Sequence, residues 1–482
     1  MKLIKSMCKA ALVLASLTLF ASPLQAAPYE GYSYYYWGDS SSTPNAYLPD
    51  GVIDGAEQGV GKLKGPTDMF VASDGLVYVL DAGNGRIVVF DQQWKAIRQI
   101  YGFKDGAKQE QFANPQGIFV TDKGRIYIAD TDNSRVIELE SDGKLVRVIG
   151  APKSEVILDD FEYFPRKIAV DKAGRIYVIG RGVFDGIMEM DSDGKFTGFM
   201  GTNKVSFNFM DYIWKQLSTK EQRNKLAQFV PLEFNNLDVD GENFIFTTTA
   251  EVGSTVPIKR LNPTGDDVLR REGYIPPMGD AYSQNPAASS ILVDIKVGEN
   301  GTYSALDSRK GRIFTYNEDG SLMYIFGRMG EQEGTFKTPV ALESRGDQFF
   351  VLDQEMNRIT IFKPTRYGKL VNEANELLIS GKYTEASNKW KELLTLNANN
   401  EIAYVGIGKA LLRQGESKLA MENLHLGYDR VYYSKALGKY RKEIVREYFG
   451  VGMTGLVVLI ATIWGISFLK RRLKGKVKAN VT

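Results

Sequence analysis

Hydrophobic and polar residues alternate with a period of two over most of residues 64–364, which is the pattern of half-buried β-strands. One phrase of this kind recurs six times, and the distances between successive starts are 49, 50, 69, 58 and 47 residues. A repeat of this length predicts one structural unit per copy. The copies begin at Pro66, Pro115, Pro165, Phe234, Leu292 and Pro339.

The second copy shows what one unit contains. Its predicted strands are Gly117–Thr121, Arg125–Ala129, Val136–Leu139 and Lys144–Ile149, and short polar turns join them. Four short antiparallel strands in about 45–50 residues are typical of a propeller blade. A single blade cannot bury both of its faces, whereas blades stacked in a ring bury them all. The sequence therefore predicts a mainly β fold, a six-bladed β-propeller over residues 64–364.

The copies also share particular residues: a proline near the start, an Asp-Gly turn, an Ile-Tyr-Val strand ending in aspartate, and an Asn-x-Arg turn. These features resemble the NHL repeat family, which implies the same six-bladed propeller. The third and fourth copies depart from the pattern, with Gly180 and Thr248 in place of the aspartate. In the other copies the residue is Asp81, Asp130, Asp307 or Asp353, and we expect it to shape the turn at the end of its strand.

The sixth copy ends at Phe362, after its third strand, so a fourth strand must come from elsewhere. In the N-terminal segment (27–63), the run Tyr32–Trp37 has strand composition. We predict that residues 32–37 complete the sixth blade, which would close the ring and remove its open edges. An exposed aromatic strip that stacks on sugars is the alternative for the same run.

Two longer connections interrupt the regular spacing. The surplus between the third and fourth copies is residues 203–229, which have helical composition, and a shorter surplus lies at 274–290. Insertions of this kind on one face of a repeat protein commonly form its binding surface. We therefore expect recognition to occur around the third and fourth blades.

The period changes to 3.6 residues after Pro364, which predicts helices. Gly381 and Gly415 are 34 residues apart, and so are Ala386 and Ala420. This period resembles tetratricopeptide repeats, and residues 366–430 would hold about two of them.

Two uninterrupted apolar segments lie near the ends of the chain. The first follows three lysines within residues 1–26, the layout of a secretory signal peptide. The second, residues 449–469, carries no charge and would span about 31 Å as a helix, which matches a bilayer core. A juxtamembrane helix (431–448) precedes it and a basic tail (470–482) follows. With the signal peptide, this predicts a single-pass membrane protein whose N-terminal domain lies outside the cytoplasm and whose tail lies inside.

The composition excludes several kinds of binding and catalytic site. The 60 basic and 58 acidic residues give a net charge of +2, which offers no case for binding nucleic acid. The only cysteine, Cys8, lies in the predicted signal peptide, and the only histidine, His425, lies outside the propeller. Disulfides, thiolate catalysis and histidine-bound zinc in the propeller are therefore not expected.

The residues two places after each start should face the propeller axis, since they share one position in the repeat. They are Asp68, Gly117, Lys167, Asn236, Asp294 and Ala341. Gluconolactonase-type enzymes, which have the same shape, hold a divalent cation at the axis with carboxylates and amides, so Asp68, Asn236 and Asp294 are candidate Ca²⁺ ligands. Against this, Lys167 in the same ring would repel a cation. The other interpretation is a ring of solvated polar residues with no cofactor.

Two functions remain open at this point. The first is a membrane-anchored extracytoplasmic recognition and scaffold protein, in which the propeller binds a glycan or protein ligand and the helical repeats dock a membrane partner. Resemblance to propeller–repeat–anchor proteins implies that this partner is a carbohydrate transporter. The alternative is a metal-dependent, lactonase-like hydrolase.

Overall fold

The computed structural model describes residues 27–153, 161–201, 233–249, 254, 256–280 and 289–479. The predicted signal peptide, the insertion at 203–229 and residues 281–288 of the shorter insertion lie outside these residues. The chain divides into a propeller unit, which ends at Lys369, and a helical unit, which begins at Leu370.

Within the described residues the propeller unit contains six blades, each an antiparallel sheet that runs from an inner to an outer strand. This confirms the predicted six-bladed fold. Blade 1 is formed by Asp68–Val71, Val77–Asp81, Arg86–Phe90 and Ala96–Ile100. Blade 2 is formed by Gly117–Val120, Ile126–Asp130, Arg135–Leu139 and Leu145–Ile149. Blade 3 is formed by Pro165–Val170, Ile176–Gly180, Ile187–Met190 and Phe196–Met200.

Blade 4 shows three strands in the described part of the chain, and blade 6 takes its fourth strand from the N-terminal segment. Blade 4 is formed by Phe234–Val239, Ile245–Thr249 and Ile258–Leu261. Blade 5 is formed by Leu292–Val297, Tyr303–Asp307, Arg312–Tyr316 and Leu322–Phe326. Blade 6 is formed by Pro339–Arg345, Gln348–Asp353, Arg358–Pro364 and Tyr47–Ile53. Two small hairpins accompany the blades: Gly31–Tyr34 with Ser40–Thr43, and Phe103–Asp105 with Lys108–Glu110.

The strand that closes the ring is Tyr47–Ile53, which pairs antiparallel with Arg358–Pro364. The prediction that residues 32–37 play this part is corrected, because Gly31–Tyr34 pairs with Ser40–Thr43 instead. The closing strand contains Pro49 and Gly51, which weaken its strand propensity. An outermost strand tolerates both, since it pairs on one side only and the register shifts beside Pro49.

In the blades that carry it, the repeated aspartate connects the blade to the segment that leads into it. Asp130 is fully buried, and its carboxylate accepts hydrogen bonds from the Ala113 amide at 2.7 Å and from Asn133 and Arg135 at 2.8 Å. Asp81 makes the equivalent set with Lys64, Asn84 and Arg86. The NHL-like motif therefore has a structural role, because one side chain fixes the entry into the blade and the turn after its second strand.

The helical unit repeats the same contacts at an interval of 34 residues. Gly381 and Gly415 both have left-handed backbone conformations, with φ of 80° and 91°, at the turns that end helices. Ala386 and Ala420 are both fully buried. The helices are Arg366–Ile379, Tyr383–Leu396, Glu401–Gln414, Ser417–Leu426 and Arg430–Ala479.

The last of these, the long helix, joins the predicted juxtamembrane helix and the predicted span without a break. It is the one helix of the described chain that is long and apolar enough to cross a membrane, and it fits a single-pass anchor. Its apolar side chains are exposed: Phe449 is 61% and Trp464 76% accessible. The apolar side chains of this segment are not buried against other parts of the protein, as expected for a helix that faces lipid.

Candidate functional site

The inner strands place every second residue at the propeller axis, so the six-residue ring predicted from the repeat divides into two hydrogen-bonded groups. The Lys167 ammonium donates to Asp68 Oδ1 at 2.6 Å, and Asp68 Oδ2 accepts the Ile118 amide at 2.9 Å. The predicted ligand Asp68 thus already holds a cationic side chain.

The other two predicted ligands contact each other. The Asn236 amide donates to Asp294 Oδ1. That oxygen also accepts the Ile295 amide at 2.8 Å, while Oδ2 accepts the Leu342 amide at 2.5 Å. Burial raises the pKa of Asp294 to about 7, an effect that Lys167 opposes and Asp68 reinforces. Hydrogen-bond donors therefore surround this carboxyl group, and the Ca²⁺ site proposed for the three residues stays a prediction.

A second ring, four places after each blade start, faces the axis next to the first. Its charged members are Asp238, Lys296 and Glu343. The Lys296 ammonium lies 3.0 Å from Glu343 Oε2 and 3.5 Å from Asp238 Oδ2. Burial raises the pKa of Glu343 to about 8, although Lys296 opposes the shift. Burial lowers the pKa of Lys296, but the two carboxyl groups outweigh it and raise that pKa, so the ammonium is retained.

Four members of the second ring, Phe70, Phe119, Asp238 and Lys296, form part of the floor of a cavity of about 690 Å³. Phe70 and Phe119 lie side by side there, with ring centroids 4.7 Å apart, and the Lys296 ammonium is 5.3 Å from the Phe70 centroid. The cavity is lined by the turns between the first and second strands of blades 2, 3 and 4. It is large enough for a small ligand.

Charges on the cavity wall are largely paired within the protein. Arg147 lies 2.5 Å from Glu138, and Lys172 donates to the Gly241 carbonyl at 2.6 Å. Asp171 and Asp240 face the cavity and are bound by Arg175 and Arg260 at 2.7 Å and 2.6 Å. A wall with paired charges and an aromatic floor suits a neutral, polar ligand better than a highly charged one.

Sequence reasoning missed this cavity, although a signal for it was present. Phe70, Phe119, Asp238, Lys296 and Glu343 all lie four places after a blade start, on the same strand face as the first ring. One shared position of the repeat therefore marks them in the sequence. The wall turns belong to different blades, and only the ring of blades brings them together.

The described part of the shorter insertion forms a buried ionic cluster, which we call the Asp280 cluster. The Tyr32 hydroxyl donates to Asp280 at 2.6 Å, and Tyr34 donates to the same oxygen. Lys310 and Arg312 hold the other oxygen at 2.6 Å and 2.5 Å. The tyrosine-rich run, expected to be a blade strand or an exposed sugar-binding strip, thus places two of its rings in an internal cluster. Trp37, at the turn of the hairpin, is 74% exposed.

Comparison with known proteins supports both kinds of repeat. The family model of the NHL repeat matches residues 112–138, and that of the TPR repeat matches residues 374–415. No curated protein matches the chain.

Two solved structures illustrate the structural likeness. Virginiamycin B lyase from Staphylococcus aureus is 12% identical, over 69% of this chain and 87% of that chain, with a TM-score of 0.38. A protein of unknown function from Bacteroides thetaiotaomicron is 12% identical, over 70% of this chain and 76% of that chain, with a TM-score of 0.42. Both likenesses are distant, so the blade architecture rests on the strand pairing itself.

Proposed function

We propose that this chain is a membrane-anchored recognition and scaffold protein whose propeller binds a glycan in the cavity at its axis. The observation that carries the proposal is the cavity of about 690 Å³ with Phe70 and Phe119 on its floor. Sugar rings present apolar C–H faces, which stack on aromatic side chains, and hydroxyl rims, which bond to polar walls. A protein ligand is the other candidate, and the test below separates the two.

The proposed location rests on the long helix together with the predicted signal peptide. The propeller and the repeats lie N-terminal to the apolar span, and basic residues flank that span on both sides, so it is the signal peptide that would place the binding unit outside the cytoplasm. The helical repeats then dock a membrane partner, for which a carbohydrate transporter is our candidate. A glycan-binding propeller beside a transporter would raise the local concentration of its substrate.

Binding should depend on the aromatic floor. The full-length protein in detergent is screened against a glycan array, and the best ligand is titrated by calorimetry. We expect Phe119→Ala to weaken binding roughly tenfold, because about 1–1.5 kcal/mol of stacking is lost. Tyr101→Ala is the matched control, since this exposed tyrosine lies outside the cavity and should leave the affinity unchanged.

Other outcomes would redirect the proposal. If Phe119→Ala binds the glycan as tightly as the unaltered protein does, the glycan does not bind in the cavity. Saturable calcium binding that is lost in Asp294→Ala would favour the lactonase-like alternative, which needs a metal at the axis. If no glycan binds and a crosslinked protein occupies the cavity face instead, the ligand is a protein.

A further inference from the structure

The long helix connects the repeats to the apolar span over a short distance. In the helical unit, Ala436 is fully buried, the Lys439 ammonium donates to the Leu412 carbonyl at 3.5 Å, and the Ser417 hydroxyl donates to Glu443 at 2.7 Å. Phe449, where the charge-free segment begins, lies six positions after Glu443. At about 1.5 Å per residue this is a rise of roughly 9 Å. The repeats therefore come close to the surface of any membrane that the helix crosses.

One side of this connecting stretch carries positive charge. Residues follow each other by about 100° around a helix, so Arg441, Lys442, Val445, Arg446 and Phe449 all fall within an arc of about 140°. We call this set the basic stripe. All five side chains are exposed, and they line a shallow cleft of about 450 Å³.

The nearby acids do not neutralise the stripe. Glu443 and Glu447 lie outside the arc, and Glu443 accepts the Ser417 hydroxyl. Within the described residues, none of the cations Arg441, Lys442 and Arg446 forms an ion pair. Three like charges in six residues repel one another, so an anion that binds to the stripe relieves that repulsion as well.

The height of the stripe above the apolar segment matches a headgroup layer. Arg446 lies about 4.5 Å and Arg441 about 12 Å before Phe449 along the helix, and the polar layer on each side of a bilayer is about 5–7 Å thick. Long basic side chains cover the remaining distance. At the lower end of the stripe, Val445 and Phe449 are both 61% exposed, at the depth where the acyl chains begin.

We propose that the basic stripe is a binding site for the phosphate of an anionic phospholipid in the leaflet on the side of the repeats. The guanidinium groups of Arg441 and Arg446 bind phosphate oxygens in bidentate fashion, and Lys442 adds a point charge. Val445 and Phe449 pack against the upper acyl carbons. The site goes beyond the proposed glycan recognition and is independent of it. It requires only that the long helix crosses the membrane.

The test uses the full-length protein in nanodiscs made of equal parts phosphatidylglycerol and phosphatidylcholine, with retained lipids counted by native mass spectrometry. We expect phosphatidylglycerol to be enriched around the unaltered protein. The triple variant Arg441→Gln/Lys442→Gln/Arg446→Gln should reduce that enrichment roughly threefold. Gln keeps helix propensity, and circular dichroism checks that the variant is folded.

A matched variant controls for total charge. Lys391→Gln/Arg413→Gln/Lys418→Gln removes three exposed charges from the repeats, and its enrichment should equal that of the unaltered protein. Equal enrichment in the stripe variant, or an equal loss in the control, would overturn the site. Inorganic phosphate is also titrated into the detergent-solubilised protein. If it binds saturably and the stripe variant loses that binding, the ligand of the basic stripe is free phosphate and not a phospholipid.

Discussion

At the scale of single residues, the propeller axis is where charge and burial conflict. Asp68 with Lys167, and Lys296 with Asp238, place ionic groups where water has little access, and Glu343 lies beside Lys296. Such groups cost desolvation free energy, which their partners offset only in part. The raised pKa of Glu343 shows that burial dominates at this position.

The stability of the propeller should therefore fall as pH rises. The pKa of Glu343 is raised from 4.5 in the unfolded chain to about 8 in the folded protein. Between these two pH values, Glu343 is protonated in the folded protein and ionised in the unfolded chain. The contribution of this group to stability is fully present below about pH 4.5 and is lost progressively up to about pH 8. Glu343→Gln should remove this loss and raise the melting temperature at about pH 9 by a few degrees, with little change at about pH 4.5.

Thermal unfolding at both pH values measures the effect. Glu57→Gln is the control, because this side chain is exposed and belongs to neither ring at the axis. A Glu343→Gln variant as sensitive to pH as the unaltered protein would mean that other groups carry the dependence.

At the scale of elements, the closing strand is held by aromatic packing more than by its own strand propensity. Tyr47 is 1% exposed, and its ring lies 4.7 Å from Phe326 and 5.1 Å from Phe349. The Tyr29 hydroxyl donates to the Tyr47 carbonyl at 2.7 Å. The outermost strand of one blade is thus packed against the neighbouring blade, which joins the two ends of the ring.

Removal of the Tyr47 side chain should weaken closure. Tyr47→Ala is expected to lower the free energy of unfolding by about 3–5 kcal/mol, since a large buried side chain leaves a cavity at the closure. Trp37→Ala is the matched control: it removes an exposed ring from the N-terminal hairpin and should cost less than about 0.5 kcal/mol. Chemical denaturation of both variants measures the difference, and similar losses would contradict the assigned closing strand.

At the scale of the whole molecule, the chain offers a direct test of its orientation. Its only cysteine is Cys8, so a single new thiol can report where a segment lies. In a Cys8→Ser background, Ser40→Cys should react with a membrane-impermeant maleimide in cells whose outer barriers are opened but whose cytoplasmic membrane is intact. Thr482→Cys should react only after detergent is added. The reverse pattern would invert the proposed topology.

Features that depend on local periodicity can be predicted from the sequence alone. Alternation with a recurring proline and aspartate predicted six blades, the 34-residue offset from Gly381 to Gly415 predicted helical repeats, and the charge-free run from Phe449 predicted the apolar helix. Each signal needs only neighbours in the chain, because strand, helix and span each impose a spacing on their own residues.

Features that depend on partners far apart in the chain become visible only in the folded protein. Strand composition favoured Tyr32–Trp37 as the closing strand, but ring geometry selected Tyr47–Ile53, whose proline is tolerated at an outer edge. The repeat put the candidate metal ligands and Lys167 at equivalent positions, yet the pairs that form, Lys167 with Asp68 and Asn236 with Asp294, join residues 99 and 58 apart in the chain. Equivalent positions in a repeat show which side chains can share a ring, but which of them pair depends on how the blades pack around the axis.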